Sequence, residues 1–388
     1  MTDTIITINP GSATTKIGVF AHECGRARPL GRATLDEAAG VLHVRAGEAR
    51  TEHVLPDAPA PVVIESALVY LGELFAMGAP RAIGQRVVHG GDRFTGPALI
   101  AGDVLPAIQA LVPLAPLHQP KSVALIRMLA ELYPDVAQIA CFDTAFHRTQ
   151  SNLVRRYAIP RALFDAGVKR FGFHGLSYQF IADELARQRP DIADGRVIVA
   201  HLGSGASLCA LKAGISCDTT MGFSTLDGLP MATRCGAIDP GVLLHLLRTK
   251  GMSPEALEDM LYHHSGLLGL SGISGDTRVL SQSRAPRADE ALEIFAFRVA
   301  REAAALAATV GGIDALVFTG GIGEHQPEIR ARICARLGWL GVTCDASANS
   351  AGAADISSPG AAVDVMIIPA DEEQAMADQC ASMLGPLD

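Results

Sequence analysis

Several short segments of this chain combine glycines, small hydroxyls and charged groups in ways that suit an anionic ligand. The first is Asn9-Pro-Gly-Ser12-Ala-Thr14-Thr-Lys16. Ser12 and Thr14 can donate to phosphate oxygens, Lys16 supplies charge, and Asn9 can orient a metal or its water. The same residues would also make an ordinary hairpin turn. Arg86-Val-Val-His89-Gly-Gly places an arginine on the approach to a double glycine. Its fork suits a carboxylate or a phosphate, or a salt bridge to a neighbouring acid. Phe142-Asp143-Thr144 ends an apolar run with an acid, where open α/β sheets bind ligands. An unpaired acid there is costly, so Asp143 needs a partner: Mg²⁺, an arginine, or, as an N-cap, the following helix. Arg170-Phe-Gly-Phe173-His174-Gly sets a histidine among glycines and aromatics, fit for close ligand contact or for a buried ring held by backbone.

Farther along, Thr233-Arg234 carries a second buried-looking arginine, and Gly275-Asp276-Thr277-Arg278 is a glycine-rich turn ending in charge. Phe318-Thr-Gly-Gly321-Ile322-Gly323-Glu324-His325 follows a strand and opens a helix, so its backbone can lie against a flat or phosphorylated ligand. Asp371-Glu372-Glu373 follows an apolar strand and can hold Mg²⁺ through water or favour a helix start. Leu117-His118, after a proline-rich turn, reads as a helix entry, and His263-His264 as a solvated helix face. There is no G-x-x-x-x-G-K-[ST], no G-x-S-x-G and no H-E-x-x-H, so P-loop, nucleophile-elbow and zincin chemistry find no support.

The elements that must position these residues show a repeat. Residues 4–20 and 196–212, about 190 residues apart, each read as strand, Gly/Ser turn and strand. Asn9 answers His201, Gly11 answers Gly203, and Ser12 answers Ser204. Two related domains facing each other would offer both tips to one anion, with glycine letting the main chain approach an oxyanion closely. Strand-like runs fall at 5–8, 17–20, 86–88, 138–142, 197–201, 315–318 and 363–368, and helical spacing at 62–75, 123–132, 291–310 and 371–384. Alternation of the two predicts α/β layers. The predicted domains are 1–147 plus a C-terminal helix at 371–388, and 148–370; the Ala/Ser/Gly-rich stretch 346–360 reads as a surface loop.

The 388 residues suffice for two full cores, and 49% hydrophobic with 19% charged residues excludes a disordered chain. A net charge of −9 argues against nucleic acid as a partner. The eight cysteines are scattered without a C-x-x-C pair, as expected in a reducing cytoplasm. Neither a signal peptide nor a run long enough to span a membrane is expected.

Taken in order, the motifs N-x-G-S-x-x-x-K, R-V-V-H-G-G, A-P-L-H, F-D-T-A-F-H, F-G-F-H-G, H-L-G-x-G, T-R-x-G-x-I-D-P and G-G-I-G-E, with the C-terminal acids, resemble the acetate kinase family and its relatives, the short-chain carboxylate kinases. The resemblance covers nearly the whole chain. It implies a duplicated, actin-like (ribonuclease H-like) two-domain ATPase fold with an interdomain active-site cleft. It also implies ATP with Mg²⁺, a short carboxylate as acceptor, and a cytoplasmic homodimer. By position, Asp143, His174 and Arg234 take catalytic roles, and Arg86 binds the substrate carboxylate. Val88, Leu117 and Phe173 line its methyl pocket. Asn9 and Glu372 stand on the magnesium side, and Ser12 and Lys16 near the phosphates. The nucleotide touches His201, Leu202, Gly203, Ser204 and Gly205, then Asp276, Thr277 and Arg278, then Gly321, Ile322, Gly323, Glu324 and His325. Departures from the family pattern include Ser204 for Asn, Thr225 for a pocket proline, His325 for Asn and Asp371 for Asn; none removes a charge central to phosphoryl transfer. The expected reaction is reversible phosphorylation of acetate by ATP, with propionate or butyrate as alternative acceptors. An ATP-driven conformational protein of the actin or chaperone kind is the alternative from another class; the joint presence of Arg86, His174 and Arg234 argues against it.

Overall fold

A computed structural model describes residues 3–11 and 14–385. The chain divides into two compact units: Met1–Phe146 with Gly175–Phe180 and Asp371–Asp388, and His147–His174 with Ile181–Ala370. Gly175–Phe180, the first turns of the helix Gly175–Gln188, thus belong to the first unit, although the boundaries expected from sequence give them to the second.

The first unit is built on strands β1 (Thr4–Pro10), β2 (Thr14–Glu23), β3 (Arg26–Asp36), β4 (Val41–Ala46), β5 (Ala49–Val54), β6 (Ala82–Val87), β7 (Ala98–Leu99) and β8 (Ala137–Phe142). They form one sheet in the order β5-β4-β3-β2-β1-β6-β8-β7, with β1, β6 and β8 parallel. Alternation along each strand sends side chains to opposite faces. Ile6, Ile8 and Ile83 pack with Leu68, Leu71, Leu125 and Leu129 of the helices Ala60–Leu74 and Gln119–Leu132. Ile5, Ala82, Ile139 and Cys141 pack on the other side with Met376, Ala377 and Cys380 of the helix Glu372–Leu384. The strands β3, β4 and β5 lie outside the apolar runs read from sequence. The strands β3 and β4 alternate buried with water-facing residues, and β5 at the sheet edge is exposed at all but one position, so no continuous hydrophobic run marks them.

The second unit holds β9 (Arg196–Leu202), β10 (Ala206–Lys212), β11 (Ile215–Thr219), β12 (Ala315–Thr319) and β13 (Asp364–Ile367), in the order β11-β10-β9-β12-β13 with β9, β12 and β13 parallel. Read from its centre, this order repeats β3-β2-β1-β6-β8 of the first sheet. The doubled α/β architecture expected from the hairpin echo is therefore present. The helix Pro286–Val310 packs on this sheet through an alanine-rich face (Ala288, Ala291, Ala296, Ala300, Ala303). It starts with proline in its first turn and stops at Gly311 in the left-handed region (φ 80°).

One sequence expectation is corrected here. Residues 346–360 are not a plain surface loop: Asp345 accepts the N–H of Ala348 and caps a short helix, Ala346–Ala351, which ends at Gly352 with φ 65°. Ile356 behind it is fully buried. Small-residue composition hid a capped helix.

Candidate active site

In the first unit, parity and strand direction together put the chemistry in one place. Asn9, Arg86 and Asp143 end or follow β1, β6 and β8, at the carboxyl ends of parallel strands, where α/β sheets present their ligand-binding residues. Each shares its strand parity with the residues that face the helix Glu372–Leu384 (Ile5, Ala82, Ile139). They therefore meet one another and the first residues of that helix. Arg86 Nε donates to both Asp143 carboxylate oxygens (3.2 and 3.1 Å), and its Nη2 donates to Oδ2 at 2.6 Å. Its Nη1 donates to Asn9 Oδ1 at 3.1 Å. Asn9 Nδ2 in turn donates to Glu372 Oε2 (2.8 Å) and Glu373 Oε1 (3.0 Å). Guanidinium carries five N–H groups, so one on each Nη is left for a ligand beyond these contacts.

Electrostatics follow from the packing. Burial alone would lower the Arg86 pKa, but Asp143, Glu372 and Glu373 around it hold it above its ordinary value. Burial pushes the Glu373 carboxyl up, while the charge of Lys16 and the bond from Asn9 draw it back. Lys16 is exposed and lies opposite Asn9 in the β1–β2 register. Ser12, between them, lies outside the described residues. Gly175 is required where it stands: a Cβ there would lie 1.9 Å from the Asp143 carbonyl oxygen. Val88 is buried just after β6, and Leu117 is exposed before the helix Gln119–Leu132.

For a divalent cation, Asn9 and Glu372 offer oxygen donors of the kind Mg²⁺ takes. Among the described residues no three His, Cys, Asp or Glu side chains are grouped to hold a metal ion. A cation that keeps most of its waters and leans on substrate phosphates fits such a set; a fully protein-bound metal does not.

In the second unit, His174 stands at the entry of the helix Gly175–Gln188 with φ 59°, a left-handed conformation unusual for a residue bearing a Cβ. Its Nδ1 lies 2.8 Å from Ser207 Oγ, and its ring stacks on His201 with centroids 4.4 Å apart. Ser207 faces His201 across the β9–β10 pair, so the hairpin supplies both partners. A Cβ on Gly205 would lie 3.3 Å from His174 Nε2 and 3.9 Å from Arg234 Nη1. Both groups therefore point at the same bare stretch of backbone. Arg234 Nη1 also donates to the Thr225 carbonyl at 3.1 Å. Phe173 is buried, and its carbonyl accepts from His147 Nε2 at 2.9 Å.

Beside this lies a cavity of about 500 Å³ whose walls come from Gly203 and Ser204, from Gly275–Arg278, and from Gly321, Ile322 and His325. The three segments read from sequence as one nucleotide site thus share one cavity. Asp276 caps the helix Thr277–Gln282 and pairs with the exposed Arg278. Leu202, Gly205, Gly323 and Glu324 do not line it, and His201 is turned toward His174. Glu324 Oε1 is taken by the N–H groups of Gly320 (2.9 Å) and Ala370 (3.0 Å). A larger cavity, about 640 Å³, opens between the helix Pro327–Arg336 and residues 342–350; apart from Glu328 at its rim its lining is uncharged, and none of the motif residues reaches it.

Sequence reasoning did not single out Ser207, Gln326 or the role of Glu373 as the second acceptor for Asn9. Ser207 had a signal, as a hydroxyl directly opposite His201 in an otherwise apolar strand. The Asn9–Glu373 bond spans 364 residues and has none.

Comparison with known proteins accounts for nearly the whole chain. A model of the Acetokinase family matches residues 4–378. An acetate kinase from Rhodopseudomonas palustris is 46% identical over 391 residues, covering 97% of this chain and 97% of its own. One from Nitrobacter hamburgensis is 46% identical over 393 residues, covering 98% and 96%. Among solved structures, a propionate kinase from Francisella tularensis superposes with a TM-score of 0.90 at 35% identity, covering 97% of this chain and 98% of its own. An acetate kinase from Porphyromonas gingivalis superposes at 0.86 and 30% identity, covering 98% and 100%.

Proposed function

The chain belongs to the acetokinase family and is an enzyme that transfers a phosphoryl group to a carboxylate; from that premise we propose that it phosphorylates acetate reversibly with ATP, by direct in-line transfer, with the roles given below. The observation that carries the reading is the turn of His174 Nε2 and Arg234 Nη1 onto Gly205, next to the glycine-lined cavity. A nucleotide-driven conformational protein would need the cavity but not this pair.

Acetate has a pKa between about 4 and 5 and is ionised at neutral pH, so no general base is needed to make the nucleophile. The obstacle is repulsion between two anions, which positioned cations and donors offset. Arg86 receives the carboxylate on its remaining N–H groups. Asp143 holds that guanidinium in place, which is a positioning role and not proton abstraction. His174, with Nδ1 tied to Ser207, and Arg234 meet charge on the transferring phosphoryl oxygens. Mg²⁺ would be held through water by Glu372, with Asn9 beside it, and would neutralise phosphate charge. The reading requires Arg86 and Arg234 to act on one phosphoryl group during turnover.

Two wider statements belong to the proposal. The helix Pro240–Arg248 has no buried residue, and its Val242 and Leu244, which point to different sides, are 41% and 49% exposed; an apolar helix left this uncovered supports a homodimer. All eight cysteines are free thiols, which supports a cytoplasmic enzyme.

The test is capture of acyl phosphate by hydroxylamine with acetate, propionate and butyrate. Acetyl hydroxamate dependent on ATP and Mg²⁺ is expected. ATP turnover with no hydroxamate from any acid overturns the reading. Preference for propionate is the second outcome, favoured by the likeness to the Francisella enzyme. One methylene is worth only about 1–3 kcal/mol in such a pocket.

A further inference from the structure

The helix Gly320–His325 supplies Gly321, Ile322 and His325 to the 500 Å³ cavity. Six residues are too few to hold a helix unaided. Its orientation must come from outside its own backbone, and two charged side chains provide it. At the amino end, Glu324 folds back so that Oε1 accepts from Gly320 N–H and, from the chain after β13, Ala370 N–H (2.9 and 3.0 Å). At the carboxyl end, Arg330 Nη1 donates to the carbonyls of Gly323 (2.8 Å) and Glu324 (2.9 Å). The rest of the guanidinium is fixed by Asn349, with Nε to Oδ1 at 2.7 Å and Nη2 to the carbonyl at 2.8 Å.

Arg330 is 1% exposed, and the groups it donates to are three carbonyls and a neutral amide, not a carboxylate. Burying a guanidinium in that company is expensive, and burial pulls its pKa below the ordinary value. A leucine would fill the space more cheaply; what it cannot do is donate in a planar fork to several carbonyls at once. The signs also match the helix dipole, with the acid at the amino end and the cation at the carboxyl end.

We propose that Glu324 and Arg330 are a pair of positioning residues that lock the backbone of Gly320–His325 against the bound nucleotide. Glu324, expected from sequence to touch the nucleotide, then acts through Gly320 and not on the ligand. The inference rests on the reading of the cavity as the nucleotide site.

The experiment measures ADP affinity by calorimetry, KM for ATP and KM for acetate in Glu324→Ala, Glu324→Gln, Arg330→Lys and Arg330→Ala, with melting temperatures recorded alongside. Glu324→Ala and Arg330→Lys are expected to weaken ADP binding and raise KM for ATP by about tenfold, the worth of a charge-assisted hydrogen bond. KM for acetate should stay put. Glu324→Gln, which keeps an acceptor oxygen, should recover most of the loss. Millimolar guanidinium should restore part of the ATP affinity of Arg330→Ala; if that variant does not fold, the two Glu324 variants decide. Folded variants with unchanged ADP affinity, or with both KM values raised alike, overturn the proposal. Wild-type protein that binds no ADP overturns the nucleotide reading itself, which separates the two failures.

Discussion

The hairpins β1–β2 and β9–β10 occupy the same place in the same strand order, yet they carry opposite kinds of chemistry. The first ends at Asn9, which joins an arginine and three carboxylates through Arg86, Asp143, Glu372 and Glu373. The second ends at His201, which stacks on another histidine opposite a serine, beside a wall of glycine and serine backbone. The turns differ as well. Four residues separate the last paired positions, Pro10 and Thr15, of the first hairpin, and three separate Leu202 and Ala206 in the second. Topology decides where a site can form, at the carboxyl ends of the central parallel strands. Side chains then decide whether that place grips charge with charge or offers backbone to a flat, phosphorylated ligand.

Removing a cation from each copy should break this comparison most visibly. Arg234→Ala is expected to lower kcat by about a thousandfold, near 4 kcal/mol, as for loss of a donor aimed at developing charge. Arg234 Nη1 donates to the Thr225 carbonyl and the Met231 thioether, and a melting temperature recorded alongside separates loss of turnover from loss of fold. Near-normal turnover would remove Arg234 from the mechanism. Arg86→Ala should behave differently. It removes the guanidinium that bonds Asp143, which is 1% exposed, so unfolding by urea should show a loss of about 3–5 kcal/mol along with the loss of acetate binding. Unchanged stability in Arg86→Ala would show that the cluster around Asn9 does not depend on this guanidinium.

Much of this was legible before any coordinates. Arg86 and Asp143 stand out because a charge at the end of an apolar strand is expensive unless it has work or a partner, and here each is the other's partner. The hairpin echo predicted the doubled sheet because two apolar strands around a glycine turn leave little else to form. What stayed hidden depends on distance along the chain or on composition. Glu372 and Glu373 look alike in sequence, and only the rotation of the helix Glu372–Leu384 decides how each meets Asn9. Arg330 carried a signal that was not used: it lies with Ile329, Ile333 and Cys334 on the buried face of its helix, where an arginine is out of place unless it bonds inward.

A smaller effect sharpens the comparison through a buried histidine from each unit, His89 and His147. Burial draws both His89 and His147 down to about 4 from an ordinary value near 6.5. Each stays neutral in the folded protein and takes a proton only on unfolding. The stability they contribute is therefore complete above about pH 6.5 and drains away as pH falls toward 4. The slope is about 1.4 kcal/mol per pH unit for each. Urea unfolding at several pH values should show this slope, and His89→Gln and His147→Gln should each remove about 1.4 kcal/mol per pH unit of it. A stability profile that is level from pH 7 to 5 would show that these rings titrate normally.

The finest test concerns Ser207, whose hydroxyl lies 2.8 Å from His174 Nδ1. If His174 presents Nε2 to a phosphoryl oxygen, Nε2 must carry a proton. The neutral ring then needs an O–H donor at Nδ1, while the imidazolium needs an acceptor there; Ser207 can serve either by rotating its hydroxyl. Ser207→Ala removes this freedom without disturbing charge, and the β9–β10 backbone pairing does not involve the side chain. Turnover should fall by about tenfold, the worth of one hydrogen bond, with the KM for ATP and for acetate nearly unchanged. The pH dependence of kcat should shift in the same variant, because the partner that tolerates both ring states is gone. Ser207→Thr, which keeps the hydroxyl, should restore both. A Ser207→Ala enzyme with lowered kcat but an unmoved pH profile would mean that the hydroxyl only wedges the ring in place.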